Sequence, residues 1–213
     1  PSSMTQAKEW KLDIPMNIGP DPVWGHSAPP WTSGQSLILC WRPTPLLGRS
    51  GWHQLVSSLS RFSEIHDLNV IWLAFHEHQD ASLFQSLVNE QIVPQSLEQR
   101  STTLVAESIS QVQKLFSESR MIIAMRLHAL ILAAVGGVPT SALSYDPKVA
   151  AAAELAEIPY SELNNQLSEQ HLITQWSEAM KKPLVDDEIC ALARDAKIHS
   201  DVLNKSLRQL IKR

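Results

Sequence analysis

One stretch of the chain, residues 121–149, restricts the possible folds more than any other. It opens with an apolar run of strand length, MIIA, and soon enters LHALILAAV, an almost wholly apolar helical segment. Two glycines end that helix, because glycine adopts the left-handed C-terminal position without strain. A second strand follows at residues 139–144, and a Tyr-Asp-Pro turn ends it. The sequence therefore predicts a βαβ unit in a parallel sheet that is covered on both faces.

The rest of the chain extends this alternation towards the N-terminus. Strands are predicted near residues 36–41, 70–75, 102–105, 121–125 and 139–144. Helices are predicted between them, at residues 52–62, 83–88 and 108–118, from apolar positions at helical spacing. Asp80 is expected to cap the second of these helices. This pattern is typical of the α/β class with a doubly wound, Rossmann-like parallel sheet. Residues 149–213 are predicted to be helix only, and the last ~30 residues form an amphipathic helix with one apolar stripe.

Composition limits the size and the partners of the protein. A chain of 213 residues allows one full domain, or one domain with a helical appendage. The net charge of −4 shows no basic excess, so nucleic acid is not an expected partner. Cys40 and Cys190 lack metal-ligand spacing, and no apolar run reaches the ~20 residues that span a bilayer. Residues 1–35 are rich in proline and tryptophan, which indicates a linker or arm rather than a domain of its own.

Arg126 and His128 directly follow the first strand of the βαβ unit. In a parallel sheet, ligands bind at the carboxyl ends of the strands, where the first turn of a helix offers free N–H groups. A permanent cation and a titratable imidazole at this place suit an anionic, phosphorylated ligand. Structural roles are also open, since His128 can cap the helix and Arg126 can form a buried ion pair. Arg42 follows the first predicted strand and is expected at the same edge of the sheet.

The segment after the second strand, HEHQD, invites a metal-site interpretation. His76 and His78 would share one side of an extended chain, with Asp80 nearby. The sequence shows no third ligand elsewhere, so we expect no metal. We expect a loop instead, in which His76 or Asp80 faces the cleft.

The segment MRLHALILAAVGGVPTSALSYDPKV resembles the signature of the polysaccharide pyruvyl transferases, and especially the CsaB type. The shared features are Arg-Leu-His at the strand-to-helix junction and Ser-Tyr-Asp-x-Lys-Val after the next strand. The resemblance covers roughly residues 21–149. It implies a fold like that of GT-B glycosyltransferases, with two Rossmann-like domains and the active site in the cleft between them. It also implies transfer of the enolpyruvyl unit of phosphoenolpyruvate onto a sugar as a pyruvate ketal.

The resemblance divides the chain and gives its residues roles. Residues 1–35 become an arm from an N-terminal domain that is missing here, residues 36–147 a donor-binding domain, and residues 148–213 helices packed on it. His128 becomes the general acid or base. The residues implied in substrate binding are Arg42, His76, Asp80, Arg126, Leu127, Tyr145 and Lys148. For Lys148 a solvated lysine at a helix start is an equal alternative, and Tyr145 can merely form the turn.

The same resemblance implies the partners of the protein. These are phosphoenolpyruvate as the donor substrate, no separate cofactor, and a glycan or lipid-linked sugar as the acceptor. The enzyme would work in the cytoplasm or peripherally at the inner face of the membrane. Without the missing half, this chain is expected to bind the donor weakly and to turn over nothing. Two alternatives stay open, a GT-B glycosyltransferase that uses a nucleotide sugar and a carbohydrate-binding half-domain without catalysis.

Overall fold

A parallel sheet of six strands forms the centre of the protein in a computed structural model, which describes residues 9–10, 19–163, 167–183 and 186–211. The strands are β1 (Ser36–Cys40), β2 (Asn69–Ala74), β3 (Ser101–Val105), β4 (Met121–Ala124), β5 (Thr140–Ser144) and β6 (Tyr160–Glu162). They lie in the order β3-β2-β1-β4-β5-β6, and each neighbouring pair is parallel. In the middle of the sheet, Leu37 of β1 pairs with Val70 of β2 on one side and with Met121 of β4 on the other.

Helices cover both faces of this sheet. They are α1 (Gly48–Ile65), α2 (Glu77–Asp80), α3 (Leu83–Asn89), α4 (Gln95–Gln99), α5 (Ile109–Ser117), α6 (Leu127–Val135), α7 (Pro147–Leu155), α8 (Glu169–Lys181) and α9 (Asp186–Ile211). Successive residues of a strand point to opposite faces. Leu37 and Leu39 of β1 therefore pack into one core with α1, α3, α4 and α8. Ile38 and Cys40 pack into the other core with α5, α6, α7 and α9.

Helix α6 lies deepest in the second core. Its residues 129–134 are all buried, because the sheet, α5, α7 and a 3-10 turn at Pro22–Gly25 surround it. Gly136 and Gly137 end the helix as predicted, and Gly137 has the left-handed φ of 69°. The N–H groups of Gly137 and Val138 donate to the last free carbonyls of α6, those of Ala134 and Ala133. The predicted βαβ unit is thus present, and its helix is buried from residue 129 to residue 134.

The structure confirms the predicted α/β class, including the parallel pairing of the five predicted strands. Two other predictions were wrong. The part after Val149 is not helix only, because residues 160–162 add β6 beside β5. Asp80 does not cap the helix that follows it. Ser82 holds that position, and Asp80 is the last residue of the short helix α2.

The proline-rich segment before the sheet packs on the body of the protein from residue 19 onward. Trp24 is only 1% exposed and belongs to the core around α6. The indole N–H of Trp31 donates to the carbonyl of Ser119 over 2.8 Å. The described part of this arm therefore has contacts with the domain that follows it, whereas the side chain of Trp10 is exposed.

The predicted apolar stripe of helix α9 is buried only in the first half of the helix. Ile189, Leu192 and Ala196 are buried near the 3-10 turn. Leu203 and Leu207, from the same stripe, are exposed. Residues 184–185 and 212–213 of the predicted helix, and the side chain of Leu210, lie outside the described part of the chain.

Candidate functional site

The candidate site lies at the carboxyl ends of the central strands. The strand order reverses between β1 and β4, because the chain adds strands outward from β1 in one direction and from β4 in the other. Such a reversal opens a crevice in which α/β proteins bind their ligands. The loops that follow β1, β4 and β5 at this edge carry Arg42, Arg126 and Tyr145, and the first turn of α6 carries His128.

Arg126 occupies the N-cap position of α6 with an extended backbone, φ −89° and ψ 124°. Its Nε donates to Oδ2 of Asp80 over 3.1 Å, and its Nη2 donates to Oδ1 of the same carboxylate. Nη2 also donates to Oε1 of Gln79 over 2.8 Å. The Nε–Nη2 edge of the guanidinium is thus occupied within the protein. Within the described residues Nη1 has no partner, so this nitrogen can still reach a ligand.

Asp80 is a buried partner of Arg126 rather than a residue that lines the cleft. Its side chain is 1% exposed, and its Oδ2 also accepts the backbone N–H of His76 over 2.8 Å. A carboxylate in such a place is stable only because it is paired and hydrogen-bonded. Asp80 therefore ties the loop after β2 to the junction between β4 and α6. His76 itself is exposed on that loop.

Arg42 differs from Arg126 in its electrostatic surroundings. Its Nη1 donates to the hydroxyl of Tyr145 over 3.0 Å, and its guanidinium carbon lies 4.9 Å from the centroid of that ring. The side chain is therefore held in place by a hydrogen bond and a cation–π contact. In the part of the chain that the structure describes, no carboxylate lies within 4.0 Å of Arg42, and its Nε–Nη2 edge makes no hydrogen bond. Arg42 thus presents an uncompensated, planar two-donor edge.

His128 lies in the first turn of α6 with 56% of its side chain exposed. Its Nε2 is 3.6 Å from Oδ2 of Asp21, a residue of the N-terminal arm. Leu127 before it is half-buried and packs against the core around α6. Lys148 is exposed in the first turn of α7, and its backbone N–H donates to Oδ1 of Asp146 over 2.8 Å.

Sequence reasoning missed two residues of this arrangement, Asp21 and Gln79. Asp21 precedes a proline that starts the 3-10 turn, and this Asp-Pro pair indicates a capping residue but not its approach to His128. Gln79 is adjacent to the candidate Asp80, and no local pattern predicts that its amide oxygen accepts from Arg126.

The thiol of Cys40, at the end of β1, lies in the core beneath this edge. Burial raises the pKa of Cys40 well above its usual range, and the negative charge of Asp80 raises it further, against the opposing charge of Arg126. Cys40 is therefore a protonated, inert thiol and not a candidate nucleophile.

A family model described as polysaccharide pyruvyl transferase matches residues 6–147, which is more than half of the chain. The chain belongs to the polysaccharide pyruvyl transferase family. This assignment makes it a transferase by family. A comparison with curated proteins found no match.

Three solved structures similar to this pyruvyl transferase family member are described as glycosyltransferases. The glycotransferase of kitacinnamycin is 14% identical, with a TM-score of 0.46 over 88% of this chain and 44% of its own. WaaG, a glycosyltransferase involved in lipopolysaccharide biosynthesis, is 16% identical, with a TM-score of 0.44 over 78% and 43%. The pneumococcal O-GlcNAc transferase GtfA in complex with UDP and GlcNAc is 13% identical, with a TM-score of 0.46 over 87% and 38%. The chain thus spans less than half the length of each of these structures.

Two cavities of this family member flank strands β5 and β6. One of about 380 Å³ lies beside Tyr145, against α7. A larger one of about 570 Å³ reaches Thr140, at the opposite end of β5. Four carboxylates line the larger cavity, those of Glu154, Glu157, Glu178 and Glu188. These carboxylates outnumber the cation of the same lining, Lys182, so this cavity disfavours an anionic ligand, whereas the crevice carries Arg42 and Arg126.

Within the described residues, no three His, Cys, Asp or Glu side chains come together as metal ligands. The rings of His76 and His78 have their centroids 6.3 Å apart. In the same part of the chain, none of the helices combines the length and apolarity needed to cross a bilayer.

Proposed function

We propose that the protein transfers the enolpyruvyl unit of phosphoenolpyruvate to a sugar of a cell-surface polysaccharide precursor, forming a pyruvate ketal. The observation that carries this proposal is the Nε–Nη2 edge of Arg42, which has no partner among the described residues and lies at the same sheet edge as Arg126 and His128. Phosphoenolpyruvate has two anionic groups, a carboxylate and a phosphate. A planar guanidinium edge matches the two oxygens of a carboxylate or of a phosphate with parallel hydrogen bonds.

The crevice offers separate contacts for these two anions. Arg42 provides the two-donor edge, while Arg126 provides only Nη1, since Asp80 occupies its other edge. The first turn of α6 adds backbone N–H groups and the positive end of the helix dipole. Tyr145 and Asp80 then act through the arginines, because each fixes one guanidinium in position.

His128 supplies the proton in this proposal. Its imidazolium protonates the methylene carbon of the enol phosphate, and the positive charge that develops at C2 is shared with the ester oxygen. A sugar hydroxyl adds to C2, and the bond between C2 and the phosphate oxygen breaks to release inorganic phosphate. A second hydroxyl of the sugar then forms the second C2–O bond and closes the ketal. One hydroxyl proton returns to His128 and the other leaves with phosphate, so the ring is ready for another cycle.

The resemblance of the signature segment supports three further proposals. The protein is of the CsaB type, its acceptor is a glycan or a lipid-linked sugar, and it works in the cytoplasm or at the inner face of the membrane. The family resemblance also implies a second Rossmann-like domain, and we propose that this domain completes the cleft. His76 and Lys148, which are both exposed, then contact the acceptor side of that cleft.

A GT-B glycosyltransferase with a nucleotide-sugar donor is the competing function, and a binding half-domain without catalysis is a third. A glycosyltransferase needs groups for the base and the ribose at this sheet edge. Glu77 is exposed at the start of α2, whereas Trp41 is 2% exposed and packs against Trp72. With its side chain buried, Trp41 cannot stack on a base at this edge.

The test is the thermal unfolding and calorimetric titration of the protein with phosphoenolpyruvate and, separately, with uridine diphosphate. We expect phosphoenolpyruvate to raise the melting temperature and Arg42→Ala to weaken its binding by about 2–3 kcal/mol, as for a lost charge-assisted contact. Arg61→Ala is the matched control, because Arg61 forms an exposed ion pair with Glu169 on α1 and α8. Stabilisation by uridine diphosphate but not by phosphoenolpyruvate would support the glycosyltransferase instead.

A further inference from the structure

The pair formed by His128 and Asp21 joins the first turn of α6 to the N-terminal arm. Nε2 of His128 lies 3.6 Å from Oδ2 of Asp21, and no other described carboxylate comes within 4.0 Å of this ring. The separation is that of an ion pair and is longer than a hydrogen bond. Catalytic hydrogen bonds are often long without substrate and shorten when it binds. The geometry thus gives the proposed proton donor a carboxylate on one defined side.

The two carboxylate oxygens of Asp21 have different partners. Oδ1 accepts the backbone N–H of Val23 over 2.9 Å and caps the 3-10 turn at Pro22–Gly25. Oδ2 is the oxygen that faces His128. The cap fixes the rotation of the carboxylate, and the burial of Trp24 fixes the turn against the body. The arm therefore holds the carboxylate of Asp21 in a fixed orientation beside the imidazole of His128. The fold needs Asp21 only as the cap of the 3-10 turn.

We propose that Asp21 is a positioning residue that keeps a proton on Nε2 of His128, so that Nδ1 is the nitrogen that exchanges a proton with the substrate. The inference rests on the proposed function for the identity of that substrate. Its physical basis is electrostatic. A lone pair on Nε2 is repelled by the facing carboxylate, whereas an N–H there is attracted. The neutral ring is then held in one tautomer, with its basic nitrogen directed away from Asp21.

Neighbouring charges do not replace Asp21 in this role. Arg126, two residues earlier, has its charge compensated by the buried carboxylate of Asp80. The N-terminus of α6 places partial positive charge beside the ring and offers it no acceptor. Asp21 is therefore the described group that can favour one ring nitrogen over the other.

The decisive variant is Asp21→Asn. Its amide oxygen can keep the hydrogen bond from Val23, and its NH2 group then takes the place of Oδ2 and faces Nε2. A donor at that place favours the lone pair on Nε2 and therefore the opposite tautomer. Asp21→Ser is the second variant, since serine also caps helices but carries no carboxylate. Asp67→Asn is the matched control, because Asp67 forms an exposed pair with Arg100 at 3.8 Å.

The tautomer can be read from the 15N chemical shifts of the ring in histidine-labelled protein at a pH of about 8.5, where imidazole is ordinarily neutral. A His128→Gln variant identifies the signals of His128. We expect the Nε2–H form to dominate in the parent protein and in Asp67→Asn, and the Nδ1–H form to dominate in Asp21→Asn. In an enzyme that includes the proposed second domain, assayed for phosphate release from phosphoenolpyruvate with an acceptor sugar, Asp21→Asn should lower kcat by about 10- to 100-fold with less than about a twofold change in KM.

These measurements distinguish failure of the positioning role of Asp21 from failure of the proposed reaction. An unchanged tautomer in Asp21→Asn overturns the positioning role, whatever the activity, and leaves Asp21 as a cap only. A reversed tautomer, together with no turnover of phosphoenolpyruvate by the enzyme that includes the second domain, removes the proposed reaction and keeps the positioning role. A reversed tautomer with full kcat in an active enzyme also overturns the inference, because the proton transfer then does not depend on Nδ1.

Discussion

Arg42 and Arg126 carry the same charge at the same edge of the sheet, yet they differ in what they can offer a ligand. The charge of Arg126 is balanced by Asp80, which is almost fully buried. Arg42 is held by the neutral Tyr145 and keeps its charge unbalanced. An incoming anion therefore gains more from Arg42, while Arg126 holds the junction of β4 and α6 in place.

This difference predicts the outcome of breaking the buried pair. Asp80→Asn should lower the free energy of unfolding by about 3–5 kcal/mol, because it leaves the guanidinium of Arg126 without a counter-charge in a buried place. The measurement is urea unfolding of Asp80→Asn, Arg126→Gln and the double variant. The double variant should recover part of the loss, as expected of a coupled pair. Strictly additive effects would show that the two residues contribute independently.

At the residue scale, the sequence predicted the cations of the site but not their partners. Arg42, Arg126 and His128 could be placed because each follows an apolar strand or begins an apolar helix. The pairings of Arg126 with Asp80 and of His128 with Asp21 join distant parts of the chain. Such contacts depend on how the loops after different strands fold together, and no local periodicity encodes that.

At the scale of elements, the strength of the hydrophobic pattern decided which ones could be predicted. Strands β1, β2 and β4 are largely buried apolar runs, whereas β5 is buried throughout although three of its five residues are polar. Strand β3 was weaker because it is an exposed edge strand. Strand β6 was missed because it has three residues, Tyr-Ser-Glu, of which only Ser161 is buried. Its existence depends on pairing with β5 and not on its own composition.

The contact between helices α1 and α8 predicts a pH effect on stability. His66 at the end of α1 hydrogen-bonds through Nε2 with the hydroxyl of Ser177 at 3.0 Å, and its ring packs on Phe62. Burial lowers the pKa of His66, and the positive charges of Lys181 and Arg120 lower it further. The unfolded chain therefore binds this proton more readily than the folded one. Stability is unaffected well above the unfolded pKa of about 6.5 and falls as the pH drops from there to the folded pKa.

The measurement is the free energy of unfolding in urea between about pH 8 and pH 5. His66→Gln should be less sensitive to acid than the parent protein over this range. His171→Gln is the control, because His171 is an exposed histidine on α8. If the parent and His66→Gln lose stability in parallel, the acid sensitivity arises elsewhere.

At the scale of the whole molecule, the sheet separates two cores that meet the site from opposite sides. The core around α1 supports the loop of Arg42, and the core around α6 supports His128. The N-terminal arm contributes Asp21 from outside the sheet. The site therefore needs the sheet, a helix and the arm at once, which explains why the sequence could place its strand-end residues and not its full composition.

The depth of α6 has a consequence for how the protein opens. Amide hydrogens that are covered on every side exchange with solvent only when the whole structure unfolds. We expect the amides of residues 130–134 to exchange with a free energy equal to that of global unfolding, measured by hydrogen–deuterium exchange with mass spectrometry. The exposed stretch around Leu203 on α9 should exchange far faster and is the internal comparison. Exchange of the α6 amides at a clearly lower free energy would show a partial opening of the sheet edge.

If α6 opens only with the whole domain, local loosening cannot remove the anchor of Arg126 and His128 while the rest stays folded. Denaturant should then abolish ligand binding and unfold the domain over the same concentration range. Any ligand held at the first turn of α6 should in turn slow the exchange of amides across the entire sheet, including those far from the contact.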